Sequence, residues 1–102
     1  MDTNQLREQE ARNCMLYVFR HLDEDTSYRM ATELRYAFEK HPKFPKRKKS
    51  GLAIISEEYG ELAVAFTKLC QGVNDKETIA NLKEEAAQVA VTAIRFLEAL
   101  EK

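Results

Sequence analysis

Glycine and proline are scarce in this chain, with three and two copies in 102 residues, and tryptophan is absent. So few helix-breaking residues favour long, uninterrupted elements. Only two cysteines occur, Cys14 and Cys70, and their spacing excludes a CxxC-type metal or redox motif. Both lie in apolar helical contexts, so we predict that they are reduced, buried and inert, as in a cytosolic protein.

Long apolar runs and an excess of one charge sign are also missing. No apolar stretch reaches the ~18 residues that a membrane span needs, and residues 1–5 do not resemble a signal peptide. The net charge of −1 gives the chain no overall attraction to nucleic acid or to a membrane. We therefore expect a cytoplasmic protein with no membrane partner, and we rank nucleic-acid binding below the other functions.

The pattern of apolar residues predicts a single all-α domain over residues 1–102. Apolar residues make up 44% of the chain, enough for one core, and no strand-like alternation or internal repeat is present. The predicted helices span about 3–22, 27–40, 50–71 and 74–102. Ser50 is the predicted N-cap of the third helix, and Gly72 is suited to close it in the left-handed conformation.

The last two helices carry matching apolar stripes joined by a short turn, which predicts an antiparallel helical hairpin within a four-helix, bundle-like domain. Between Ala86 and Ile94 only Gln88 and Thr92 are polar. Such a helix is either buried at the centre of the domain or part of a homo-oligomer interface. We favour a homodimer or homotetramer. The predicted core residues are Leu52, Ile55, Tyr59, Leu62, Phe66 and Leu69, and then Ile79, Leu82, Ala86, Val89, Ala93, Phe96 and Leu100.

Acidic side chains recur in mirror positions on the two arms of this hairpin. Glu58 and Glu61 share one helix face, as do Glu85 and Gln88, because residues three apart lie side by side. Both pairs lie roughly 20 Å from the turn at 71–75, at ~1.5 Å per residue, so they should face each other. Four oxygen-bearing side chains between two helices are typical of a Mg²⁺ site. The alternative is ordinary surface charge, since Glu-x-x-Glu is common on solvated helices.

Other metal centres are not supported by the sequence. His21 and His41 are isolated, and neither cysteine has a partner at zinc-binding spacing. A ferritin-like di-iron centre would need Glu-x-x-His on two helices, and that motif is absent.

The acidic motifs also carry a family resemblance. Glu57-Glu58-x-x-Glu61 followed by Glu84-Glu85-x-x-Gln88 resembles the paired ExxE and ExxD motifs of the MazG-like, all-α nucleoside triphosphate pyrophosphatases. The stretch 84–97 is especially similar to a branch of MazG-like proteins. The resemblance covers about residues 52–100, and the first two helices correspond only by position.

The resemblance implies Mg²⁺-dependent hydrolysis of a (d)NTP to the monophosphate and pyrophosphate, in house-cleaning of the nucleotide pool, by a dimer or tetramer. Carried over by position, Glu58, Glu61 and Glu85 are metal ligands, and Glu58 and Glu61 also belong to the catalytic set. Glu57 is the candidate to orient or deprotonate the attacking water. Gln88 departs from the family pattern, which has Asp there, because an amide oxygen can coordinate metal but adds no negative charge.

A basic loop precedes the third helix and supplies candidate substrate contacts. The loop residues that could neutralise a triphosphate are Lys43, Lys46, Arg47, Lys48 and Lys49, and we assign substrate binding to Lys46, Lys48, Lys49 and Arg95. The alternative is a solvated loop or a weak nucleic-acid patch. For Arg95 we favour pairing with Glu98 on the helix surface. The chief functional alternative to the enzyme is a catalytically weak helical module for oligomerisation or protein interaction, which Gln88 and the apolar fourth helix favour.

Overall fold

The computed structural model describes residues 2–102, and this part of the chain contains four α-helices and no strand. The helices are α1 (Thr3–His21), α2 (Glu24–Lys40), α3 (Lys48–Cys70) and α4 (Lys76–Glu101). The all-α prediction is therefore confirmed. No helix within residues 2–102 is both long and apolar enough to cross a membrane.

Acidic side chains cap the first two helices. The Asp2 carboxylate accepts a hydrogen bond from the backbone N–H of Gln5, whose side-chain oxygen in turn accepts one from the backbone N–H of Asp2. The Asp23 carboxylate accepts from the backbone of Asp25, so α2 begins at Glu24. This start is three residues earlier than predicted, because Asp23 satisfies N–H groups that would otherwise lack a partner.

The predicted N-cap of α3 is wrong, whereas the predicted glycine at its C-terminal end and the predicted start of α4 are confirmed. Ser50 is not an N-cap: α3 begins at Lys48, after Arg47, which makes no side-chain capping bond. At the other end Gly72 has φ +86°, the left-handed conformation that glycine adopts without strain. The Asp75 carboxylate caps α4 by accepting from the backbone N–H of Thr78 at 2.7 Å, and its hydrogen bonds to Thr78 hold the pKa of Asp75 below its usual value.

Helix α4 lies at the centre of the packing, against α3 on one side and α2 on the other. Helix α3 is antiparallel to it, since Gly51 near the start of α3 packs on Phe96 near the end of α4. Helix α2 runs parallel to α4, because Glu33 contacts Gln88 and the carbonyl of His41 contacts Arg95. This central position covers only part of the apolar circumference of α4, because Ile94, Leu97 and Leu100 are 40%, 56% and 48% exposed. The predicted homo-oligomer stays a prediction.

The contact between α3 and α4 uses smaller side chains than the sequence pattern predicts. Leu52, Tyr59 and Phe66 are 57%, 63% and 50% exposed, so the prediction that these three lie in the core is wrong. Ala86, Ala93 and Leu100 of α4 are exposed as well. The face of α3 turned towards α4 instead carries Gly51 and Ala65, both buried, with the half-buried Ile54, Ile55, Glu58, Leu62 and Leu69. Small residues allow two helices to approach closely, which a stripe of large residues does not.

Helix α1 contributes nothing to this core: none of the residues Thr3–His21 is buried or half-buried. The predicted bundle is therefore built from α2, α3 and α4, and α1 remains exposed along its whole length. Cys14 on α1 and Cys70 at the end of α3 are free and exposed, so the prediction that both are buried is wrong. The exposed large apolar residues of α1 are Leu6, Met15, Leu16, Tyr17, Val18 and Phe19.

Candidate metal centre

Three carboxylates from the two arms of the α3–α4 hairpin meet at one place. Glu58, Glu61 and Glu85 each offer an oxygen, and these oxygens all lie within 4.8 Å of one another. Glu58 and Glu85 are half-buried, and Glu61 is exposed. This arrangement follows from the mirrored distances of the acidic motifs from the turn, combined with antiparallel packing.

Burial and mutual repulsion disfavour the ionised state of this cluster. The pKa of Glu58 is raised by burial first, and then by the charges of Glu61 and Glu85. The pKa of Glu85 is raised by burial and by Glu61. Within residues 2–102, the buried Oε2 atom of Glu85 has no hydrogen-bond partner. A buried carboxylate oxygen without a donor is costly, and a cation or a proton bound there would remove that cost.

The donor set suits a hard divalent cation. Carboxylate oxygens are the ligands that Mg²⁺ prefers, and this ion usually keeps several waters or takes phosphate oxygens as further ligands. The cluster leaves room for them, because a shallow groove of about 540 Å³ is lined by Glu57, Glu61 and Glu85. Glu58, Glu61 and Glu85 would therefore hold the ion, and two of these residues, Glu61 and Glu85, also line the groove.

Glu57, the candidate for orienting the attacking water, lies on the wall of this groove. Its side chain is exposed, and it lines the same depression as Glu61 and Glu85. An exposed carboxylate beside the cluster is suited to accept a hydrogen bond from a water molecule.

Gln88 is held by a partner that sequence reasoning missed. Its side-chain nitrogen donates a 2.8 Å hydrogen bond to Oε2 of Glu33 on α2, in a partly buried position. The amide thus links α2 to α4 one turn beyond Glu85. A signal for Glu33 was present in the sequence, because it lies between Met30 and Leu34 on the half-buried side of α2.

The basic side chains predicted to bind phosphate are not gathered at the carboxylates. Lys48 and Lys49 are exposed in the first turn of α3, roughly 15 Å along the helix from Glu58 at ~1.5 Å per residue. Lys46 and Arg95 line a different cavity, at the other end of the hairpin. Within one chain, therefore, the structure brings the acidic site residues together and leaves these four apart from them.

Arg95 also does not pair with Glu98, contrary to the sequence-based prediction. It is buried, and its Nη2 atom donates to the backbone carbonyl oxygen of His41. Glu98 instead forms an ion pair with Lys102 at 3.2 Å. The prediction fails because α2 and the following loop cover this side of α4, which converts an expected surface position into a buried one.

Fold and site together define an all-α protein whose helical hairpin presents a cluster of three carboxylates beside an open groove. Comparisons of the chain with protein-family models, with curated proteins and with solved structures find no match in any of the three.

Proposed function

We propose that this protein is a Mg²⁺-dependent nucleoside triphosphate pyrophosphohydrolase, which converts a (d)NTP to a (d)NMP and pyrophosphate in the nucleotide pool. The observation that carries the proposal is the convergence of Glu58, Glu61 and Glu85, with oxygens within 4.8 Å of one another, from two antiparallel helices. The open groove beside them supports it, because a polyphosphate needs access to the cation.

Each acidic residue has a distinct role in this proposal. Glu58, Glu61 and Glu85 would hold the ion, which would supply positive charge to neutralise phosphate oxygens and to lower the pKa of the attacking water. Glu57 accepts a hydrogen bond from the attacking water at the groove wall and takes its proton as the water adds to the α-phosphorus. Pyrophosphate leaves on the opposite side of the α-phosphorus, as an in-line displacement requires.

Gln88 lowers the expected affinity for the ion. The MazG-like motif has an aspartate here, whereas the amide of this chain adds no charge and is bonded to Glu33. We therefore expect the three glutamates to supply the protein's negative charge at the ion, and we expect weaker Mg²⁺ binding than a four-carboxylate set would give.

The test is a pyrophosphate-release assay with a panel of (d)NTPs and Mg²⁺. We expect turnover in the wild type and its loss in Glu58→Gln and Glu61→Gln, with the helical circular-dichroism signal unchanged. Glu101→Gln, which removes an exposed carboxylate at the end of α4, serves as the matched control and should keep wild-type turnover. Turnover that survives both substitutions would exclude this site, and inactivity of the wild type on the whole panel would contradict the proposal.

A second function, an oligomerisation or protein-interaction module with little catalysis, is favoured by one specific observation. Helix α1 exposes six large apolar side chains, including Met15, Tyr17 and Phe19, and none of its residues is buried or half-buried. A patch of this kind marks an association surface. Sedimentation velocity separates the cases: a dimer or tetramer without turnover on any nucleotide supports the module, whereas turnover in any assembly state supports the enzyme.

A further inference from the structure

A second cavity lies at the end of the hairpin where α3 begins and α4 finishes. Its volume is about 810 Å³, and its lining includes Phe38, Phe44 and Arg95. Ligand pockets for small molecules commonly have volumes of about 300–1,000 Å³, so this one has the size for a nucleotide-sized compound. Unlike the acidic groove, it is lined by aromatic and cationic side chains.

The buried cation in its wall has no anionic partner. Arg95 is only 8% exposed, and within residues 2–102 it forms no ion pair and its Nε atom has no hydrogen-bond partner. Its guanidinium carbon lies 5.7 Å from the centre of the Phe38 ring and 5.3 Å from that of Phe44. The rings and the carbonyl of His41 offset part of the cost of burying the charge. A buried cation without a counter-charge nevertheless attracts an anion.

The rim of the cavity adds to this attraction. Lys43, Lys46 and Lys102 line it together with Arg95, against the single carboxylate of Glu98. Glu98 already forms the 3.2 Å ion pair with Lys102. Lys43 and Lys46 are exposed and have no ion-pair partner within residues 2–102, so their charges are available to a bound anion.

This cavity, which we call the Arg95 cavity, is separate from the acidic groove lined by Glu57, Glu61 and Glu85. Arg95 follows Glu85 by ten residues along α4, which corresponds to roughly 15 Å at ~1.5 Å per residue. In the described part of the chain, no side chain lines both depressions. A ligand in the cavity therefore does not need the metal, and the inference does not depend on the proposed hydrolysis.

We propose that the Arg95 cavity, built by the Phe38–Arg95–Phe44 stack and the lysines on its rim, is a binding site for a phosphate monoester that carries a planar ring. The phosphate lies against Arg95, Lys43 and Lys46, because a guanidinium and ammonium groups recognise phosphate oxygens. The ring packs on the exposed edges of Phe38 and Phe44.

The experiment is a two-dimensional NMR titration of the full chain in EDTA, so that no divalent cation can bind at the carboxylates. Three probes are used: a nucleoside monophosphate, the corresponding nucleoside and inorganic phosphate. We expect the monophosphate to bind most tightly and to shift the amide signals of residues 43–46 and 95–102. Shifts confined to residues 57–61 and 85, or affinity for the nucleoside equal to that for the monophosphate, would overturn the proposal. Equal affinity for inorganic phosphate would overturn the role given to the rings.

Variants at the lysines and at Phe44 test the two parts of the proposed site separately. Lys43→Glu with Lys46→Glu changes exposed positions and should weaken monophosphate binding roughly tenfold or more. Arg7→Glu with Arg12→Glu is the matched control, with the same change of net charge on the exposed α1, and should leave binding unchanged. Phe44→Leu keeps an apolar residue but removes a ring, so it should weaken the monophosphate and leave inorganic phosphate unaffected. Equal weakening by the two charge-reversed pairs would show that only net charge matters, against the proposed site.

Discussion

The acidic groove lies between α3 and α4, whereas the Arg95 cavity is lined by α2, the loop after it and the end of α4, and the two sites carry opposite charge. In the groove, Glu58, Glu61 and Glu85 bring three like charges within 4.8 Å, and the buried Oε2 of Glu85 lacks a donor within residues 2–102. In the cavity, a single buried guanidinium is surrounded by two aromatic rings and a backbone carbonyl.

The two sites therefore differ in how much their stability depends on a bound ligand. Burial and the neighbouring carboxylates raise the pKa values of Glu58 and Glu85, so a bound cation or proton stabilises their cluster. Arg95 has no nearby like charge of comparable burial, and its rings and carbonyl partly stabilise it without a ligand. The groove should therefore respond strongly to metal and pH, whereas the cavity should respond weakly to both.

The largest expected effect is on turnover at the groove. Glu85→Gln removes one charge from the cation site while keeping the shape of the side chain, and should lower pyrophosphate release by about a hundredfold or more. The control is Glu77→Gln, an exposed position two turns earlier on α4, which should retain activity. Steady-state kinetics at saturating Mg²⁺ provide the measurement, and equal rates for the two variants would remove Glu85 from the site.

The next largest effect should be on thermal stability, which we expect to depend on pH and Mg²⁺ through the groove and not through the cavity. The folded-state pKa values of Glu58 and Glu85 are raised above 4.5, so the protonated cluster favours folding at low pH. That stabilising contribution is lost as pH rises through the raised pKa values. Adding Mg²⁺ at neutral pH should restore stability, by about 2.7 kcal/mol at a hundredfold excess over Kd.

The combined variant Glu58→Gln with Glu85→Gln checks this explanation by differential scanning calorimetry. It should melt higher than the wild type at neutral pH without Mg²⁺, and Mg²⁺ should no longer raise its melting temperature. A wild-type protein whose melting temperature does not change with Mg²⁺ would contradict the metal site.

The Gln88–Glu33 hydrogen bond lies between the two regions, and its removal should lower the free energy of unfolding by an intermediate amount. Gln88→Ala leaves a partly buried carboxylate without its donor, at a cost of about 1–3 kcal/mol in the free energy of unfolding. A double-mutant cycle with Glu33→Ala, measured by urea denaturation, isolates the pairwise contribution. Additive effects of the two substitutions would show that the bond contributes nothing to stability.

The smallest expected effects are the changes in unfolding free energy when two glycines of α3 are replaced, Gly51 beside the cavity and Gly60 at the groove. A Cβ on Gly51 would lie 2.5 Å from Phe96 and 3.2 Å from Phe44, so Gly51→Ala must displace an aromatic ring beside the cavity. We expect a net loss of about 1 kcal/mol, since overpacking outweighs the gain in helix propensity. A Cβ on Gly60, at the groove, would have no neighbour within 4 Å, so Gly60→Ala should stabilise the helix by about 0.5–1 kcal/mol. Urea denaturation measures both changes, and changes of the same sign would contradict the close packing at Gly51.

Much of the groove was predictable from the sequence because its geometry is local. The positions of Glu58 and Glu61 on one side of the turn, and of Glu85 on the other, determine that these side chains lie at equal depth in an antiparallel hairpin. The periodic stripe was less informative: Leu52, Tyr59 and Phe66 share a helix face, but periodicity does not say which face meets the neighbour. Those three residues are exposed, and the contact with α4 uses Gly51 and Ala65 together with the half-buried Ile55, Leu62 and Leu69.

The amino-acid sequence alone predicts the four helices, the turn at Gly72 and the equal depth of the three glutamates along the hairpin, because helix formation and hairpin register depend on residues close in the chain. Only the tertiary structure decides that Gln88 bonds to Glu33, 55 residues away, and that Arg95 bonds to His41, 54 residues away. These contacts depend on how α2 packs against α4, and no local spacing specifies that packing. For the same reason the Arg95 cavity is a property of the fold, whereas the carboxylate cluster can already be seen in the sequence.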